Sequence, residues 1–87
     1  MKAILSRADL QREYGLGRDM AISIIRLLPN SQIGRSRYIR TEDFEAFLAA
    51  GISKGADLNA SVKSMTSGEA LAWIALERSK GAAHDAR

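Results

Sequence analysis

The chain has no cysteine, so disulfides and thiolate metal ligands are excluded, and its redox compartment is left open. Histidine is nearly absent as well. His84 is the single imidazole, and it lies in the terminal stretch Gly81-Ala82-Ala83-His84-Asp85-Ala86-Arg87, where no packed pocket is expected. A histidine-based acid/base pair or metal site needs a positioned ring with a partner, and neither is supplied. Long apolar runs are also lacking. The longest, Ala70 to Leu76, is far short of the ~18 residues that a membrane span needs. The start, Met1-Lys2-Ala3-Ile4-Leu5-Ser6-Arg7, holds too short an apolar stretch for a signal peptide. These absences point to a cytoplasmic protein with no membrane contact, no catalytic residues, no metal and no cofactor. The 87 residues leave room for one compact domain with a modest core, and exclude a multi-domain enzyme. Glu42, Asp43 and Glu45 do cluster, but at an expected helix start, where acids complement the helix dipole.

What the chain does have is 46% apolar and 26% charged residues, a globular balance, and a net charge of +3 that is unevenly spread. Residues 1–40 carry Lys2, Arg7, Arg12, Arg18, Arg26, Arg35, Arg37 and Arg40 against Asp9, Glu13 and Asp19. The basic excess is thus concentrated in the first half, and nearly all of it is arginine. Arginine's planar fork suits phosphate and guanine edges better than lysine's point charge.

The order of these residues predicts a mainly α fold. Ser6-Arg7-Ala8-Asp9 reads as a capping box that opens a helix over Arg7 to about Tyr14, with Leu10 and Tyr14 on one face. Gly15-Leu16-Gly17 breaks it, and a turn this short joins two helices at a steep angle. In the next segment Ala21, Ile24, Ile25 and Leu28 form one buried stripe, while Arg18, Asp19, Ile22, Ser23 and Arg26 face outward. Pro29 ends that helix. Ile33 and Ile39 flank a Gly34-Arg35-Ser36 turn, a short β-hairpin from which Arg35, Arg37 and Arg40 project, with Tyr38 able to stack. Three arginines at a hairpin tip fit a phosphate backbone or a minor groove. Thr41 is expected to cap a third helix, with Phe44, Phe47 and Leu48 closing the core and Gly51 ending it.

Taken together, Ile4-Leu5-Ser6, Tyr14-Gly15-Leu16, Arg18, Ala21, Ile24-Ile25, Pro29, Ile33-Gly34-Arg35 and Tyr38-Ile39-Arg40-Thr41-Glu42-Asp43-Phe44-Glu45-Ala46-Phe47-Leu48 resemble the MerR-like winged helix-turn-helix of phage and mobile-element excisionases. The likeness covers residues 4–50. It implies a winged helix-turn-helix made of two helices, a short β-hairpin wing and a third helix, here followed by a C-terminal helix. It also implies a bacterial or phage-encoded, nucleoid-associated DNA binder that catalyses nothing. Such recombination directionality factors bind repeated sites, bend the DNA and help an integrase excise the element, often as cooperative head-to-tail rows. Under this resemblance Arg18, Asp19, Ile22, Ser23 and Arg26 belong to the recognition helix, and Arg35, Ser36, Arg37, Tyr38 and Arg40 to the wing. This chain departs from the family at Gly17, where a Ser or Thr cap is usual, and at Ile22 and Ser23, where Tyr and Arg are common. Its connection from Ile25 to Pro29 is also shorter.

The domain layout expected from sequence is a DNA-binding unit over 1–51, a linker or short helix over 52–65, an apolar helix over 66–80 and a disordered tail over 81–87. Thr66-Ser67-Gly68-Glu69 reads as a second capping box, and Gly81 as the stop. Ala70-Leu71-Ala72-Trp73-Ile74-Ala75-Leu76 is apolar on nearly every face and calls for burial on more than one side. Packing within the chain, self-association and contact with an integrase all answer that need, with Leu71, Trp73, Ile74 and Leu76 as the contact residues. A sequence-specific transcription regulator of the same fold is the alternative function, and a non-DNA-binding adaptor built on the last helix is a third.

Overall fold

The capping box at Ser6 forms as its spacing requires. The Asp9 amide donates to the Ser6 hydroxyl at 3.3 Å, and the Ser6 amide donates back to the Asp9 carboxylate at 2.9 Å. From this cap α1 runs over Arg7–Tyr14 and stops at Gly15, whose left-handed φ of 68° closes the last turn. In the computed structural model, which describes the backbone of residues 2–85 and the side chains of residues 2–80, α1 follows a two-residue strand, β1 (Ile4–Leu5). The remaining elements are α2 (Arg18–Leu27), β2 (Asn30–Ile33), β3 (Ser36–Arg40), α3 (Thr41–Lys54), α4 (Leu58–Ser64) and α5 (Ser67–Asp85). The protein is therefore mainly helical, with one small antiparallel sheet in the order β1-β3-β2.

Strand β1 is not marked by any pattern in the sequence. Its two residues pair with β3 across the chain, Ile4 opposite Arg40 and Leu5 opposite Ile39. That pairing ties the N-terminus to the start of α3, where the Thr41 hydroxyl donates to the Lys2 carbonyl at 2.6 Å and the Thr41 amide to Ala3 at 2.9 Å. Thr41 is thus the first residue of α3 rather than its cap. Arg40 holds the cap position, without a side-chain bond to the helix.

The buried stripe of α2 is Ala21, Ile24, Ile25 and Leu28, joined by Leu27. It meets Leu5 from β1, Leu10 from α1, Ile39 from β3, and Phe44 and Phe47 from α3. Tyr14 packs edge-on against Phe44, with ring centroids 4.7 Å apart.

Two helix boundaries differ from those expected. Helix α3 passes through Gly51 to Lys54 and ends at Gly55, whose φ is 65°. Gly51 serves packing instead: a Cβ there would lie 2.7 Å from the Leu58 side chain and 3.4 Å from Trp73. Helix α5 likewise runs through Gly81 to Asp85, so that residues 81–85 are helical rather than a disordered tail. One glycine inside a long helix costs only about 1 kcal/mol and does not end it without a turn to form. Ala86 and Arg87 lie outside the described residues.

Residues 52–65 hold the short helix expected there as the alternative to a linker. Their latter half is α4, capped by Asp57, whose carboxylate accepts from the Ala60 amide, and Val62 is buried against α2. Helix α5 starts from the Thr66 capping box, with the Glu69 amide donating to the Thr66 hydroxyl and the Thr66 amide donating to Glu69. It lies along α3, burying Ala70 and Ile74 and stacking Trp73 on Phe47 at 5.3 Å. Asp43 fixes the other end of this contact. Its buried carboxylate accepts from Arg40 on β3 and from Arg78 on α5, so one acid joins three elements.

Asp9 carries the clearest pH dependence. The Lys2 ammonium donates to it at 2.7 Å, and the Ser6 amide, Ser6 hydroxyl and Arg12 guanidinium add further donors. The Lys2 ammonium first, then the Ser6 amide and hydroxyl, hold its carboxyl down from 3.8 to about 2. A depressed carboxyl contributes stability that is whole above its ordinary value and is lost as pH falls through its folded one. Chemical denaturation followed by circular dichroism should therefore give a stability that declines from about pH 4 to about pH 2, and Asp9→Asn should flatten that decline. A variant with the same acid profile as the parent would place the loss elsewhere.

Candidate nucleic-acid interface

Asp9 takes up Lys2 and Arg12, Glu13 also approaches Arg12, and the pair Glu42 and Asp43 takes up Arg40 and Arg78. Among the described residues this leaves five arginines, Arg7, Arg18, Arg26, Arg35 and Arg37, without a carboxylate partner. Four of the five converge. Arg7 from the start of α1, Arg26 from α2, and Arg35 and Arg37 from the hairpin line one open cleft of about 280 Å³, floored by Ala8, Ile22 and Ile25. The floor is apolar and backed by the core, so the arginines stand at its rim with their guanidinium groups in water.

The hairpin is keyed to α2 by one side chain. Asn30 follows Pro29 immediately, and its amide donates to the Ile25 carbonyl at 2.8 Å and the Leu28 carbonyl at 3.0 Å, filling acceptors that the helix end leaves open. Its own oxygen accepts from Arg37 at 2.7 Å. Asn30 therefore sets both where the hairpin leaves the helix and where Arg37 points. The turn itself needs Gly34, which has a φ of 65°. Asn30→Ala should cost roughly 1–2 kcal/mol in thermal or urea melts, because two helix-end carbonyls lose their donor. Unchanged stability would mean that water replaces the amide at no cost.

The sequence-predicted DNA-binding residues divide between three places. Ile22, Arg26, Arg35, Ser36 and Arg37 share the arginine cleft. Arg18, Asp19 and Ser23 lie on the other flank of α2, beside Asn59, Val62 and Lys63 of α4, in a groove of about 400 Å³. Tyr38 and Arg40 point away from the cleft. Alternation along β3 puts Arg37 on the cleft side, while Tyr38 and Arg40 border a shallow hollow with Ile4, Pro29 and Ile33. Arg40 is also neutralised: it donates to Asp43 at 3.2 Å and meets Glu42 at 3.0 Å, and Asp43 above all, with Glu42, raises its pKa further above the ordinary value. The acidic start of α3 is thereby turned away from the arginine cleft.

Arg7 and Asn30 are the residues that sequence reasoning misses. Asn30 has a readable signal, an amide directly after a helix-ending proline. Arg7 has none, because only the β1–β3 pairing brings the N-terminus of α1 beside the hairpin. Of the four expected contact residues on α5, Ile74 is buried and Trp73 half-buried within this chain, whereas Leu71 and Leu76 are exposed. Among the described residues no cluster of acidic or imidazole side chains could hold a metal ion, and no helix is long and apolar enough to cross a membrane.

No family model, curated protein or solved structure matches this chain.

Proposed function

We propose that this chain binds double-stranded DNA as a small winged helix-turn-helix, with α2 laid in the major groove and the β2–β3 hairpin as the wing. The observation that carries the reading is the cleft in which Arg7, Arg26, Arg35 and Arg37 come together without a carboxylate partner. Four cations held close together in water repel one another. That arrangement is favoured when polyanion fills the space between them and releases its counterions. The outer residues of α2 are small or short enough to approach base edges: Ile22 fits a thymine methyl and Ser23 a base-edge acceptor or donor. In this reading the chain is an architectural partner of recombination, an excisionase that binds repeated sites, bends the duplex and works beside an integrase, with no chemistry of its own.

The test is a gel-shift titration on a long duplex from the source replicon, repeated at several salt concentrations and followed by footprinting. A ladder of complexes with a steep loss of affinity in salt, and protection at repeated sites, is the expected result. One protected site without bending would make the chain a transcription regulator instead. No shift at low salt would end the DNA-binding reading altogether.

A further inference from the structure

The outward face of α2 carries one charge of the opposite sign to its neighbours. Asp19 and Arg26 are both exposed and fall within about 20° of each other around the helix, while Ile22 and Ser23 lie half-buried to either side. Asp19 and Arg26 therefore mark the midline of the face, ~10 Å apart along the axis. Elsewhere in the chain acids have structural duties. Asp9, Glu42 and Asp43 hold cations, and Asp57 and Glu69 cap α4 and α5. Asp19 has no such duty. It lines the groove between α2 and α4 with Arg18 and Lys63, yet among the described residues it forms neither an ion pair nor a hydrogen bond. It also stands in the first turn of α2, and the first turn of a recognition helix is the part presented to base edges.

We propose that Asp19 determines sequence specificity by accepting a hydrogen bond from the N4 amino group of a cytosine in the major groove. A carboxylate carried into the groove is repelled by both phosphate strands, whatever the sequence. It recovers that loss only where a base edge offers it a hydrogen. The major groove holds two such donors, N4 of cytosine and N6 of adenine. Adenine N6 is flanked by acceptors on both sides, its own N7 and the O4 of the paired thymine, and these repel a carboxylate. Cytosine N4 has an acceptor on one side alone, the O6 of the paired guanine. Asp19 therefore works by rejection as much as by attraction: the arginines bind any duplex, and the acid penalises each one that lacks cytosine at its position. This inference rests on the DNA-binding reading and adds to it the base that is read.

The experiment is selection from random-sequence duplexes by the full chain, by Asp19→Asn and by Asp19→Ala, followed by anisotropy titrations on the selected duplex and on its single-base changes. The parent should select cytosine at one fixed position, and any other base there should lower its affinity about five- to a hundredfold. Asp19→Asn should move that preference to adenine, because an amide pairs with N6 and N7 together, and Asp19→Ala should show no preference there. Both variants should bind unselected duplex a few fold more tightly than the parent at low salt, since a charge opposed to the phosphates is gone. An acid in the first turn also favours the helix dipole, and that role by itself would shift the melting temperature and leave the selected base unchanged. If all three proteins bind DNA and share one base preference, or the parent selects no cytosine, this proposal falls and the DNA-binding reading stands. If none of them binds any duplex at low salt, both fall.

Discussion

Replacing Arg26, Arg35 and Arg37 together with alanine should lower affinity for duplex DNA by about a hundred- to a thousandfold at moderate salt, at roughly 1 kcal/mol or slightly more for each phosphate left without its cation. The same variant should bind with a salt slope shallower by almost three, since each phosphate neutralised contributes about 0.9 to it. Folding should be spared. None of the three guanidinium groups has a carboxylate partner among the described residues, and Arg37 gives up only an exposed bond to Asn30. Arg7→Ala should act in the same direction with about one unit of slope. Arg40→Ala makes the contrast. That side chain faces away from the cleft and is bound to Asp43 and Glu42, so its removal should be felt in melting temperature and hardly at all in salt slope. Fluorescence anisotropy on a labelled duplex, with melts of each variant alongside, separates the two behaviours. If Arg40→Ala lowers the slope as much as Arg37→Ala does, the cleft is not the DNA-facing side of the hairpin.

The contrast between Arg37 and Arg40 also marks how far the site can be read from sequence. Both belong to the run Arg-Ser-Arg-Tyr-Ile-Arg, and composition counts them alike. Only the fold separates them, because which side of β3 looks toward α2 depends on Ile39 being buried against the core beside Leu5 of β1. Local signals are strong wherever the physics is local. Both capping boxes, the Gly15 turn, the buried stripe of α2 and the proline stop rest on interactions within a few residues, and each is present. Signals fail where a long-range contact decides. The two residues of β1 have no strand pattern and exist only through β3. Gly51 reads as a helix stop because nothing nearby reveals that Leu58 and Trp73 press against it, and Gly81 reads as one although α5 continues past it. The outward face of α2 reads as one surface, and α4 divides it, because Asn59 and Lys63 come alongside Arg18, Asp19 and Ser23 only after the chain has turned back.

The heptapeptide Ala70 to Leu76 poses the hardest choice, since an apolar run states a need for burial without naming the partner. Helix α3 covers half of it, and a large effect follows. Deleting residues 66–87 should leave a fragment that does not fold, rather than a DNA-binding unit that lacks only a surface for partners. The deletion uncovers Phe47, which Trp73 stacks on, removes Ala70 and Ile74 from the core and strips Arg78 from the buried Asp43. Ile74→Ala alone should cost about 3 kcal/mol and Trp73→Ala about 2–3 kcal/mol, the latter less than a fully buried tryptophan because Trp73 is only half-buried. Together, at about 5–6 kcal/mol, these fall inside the roughly 4–13 kcal/mol expected for the whole stability of a chain of this size. Breaking the Arg78–Asp43 pair adds a smaller term, because Arg78 is half-exposed and regains water. Urea denaturation followed by far-ultraviolet circular dichroism measures the two single variants, and a shortened chain with no cooperative transition would complete the series. A fragment of residues 1–65 that melts cooperatively and still shifts DNA would show that α1, α2, the hairpin and α3 hold their own core. The packing of α5 on Phe47 would then be an accessory contact, with both faces of the helix free to serve assembly.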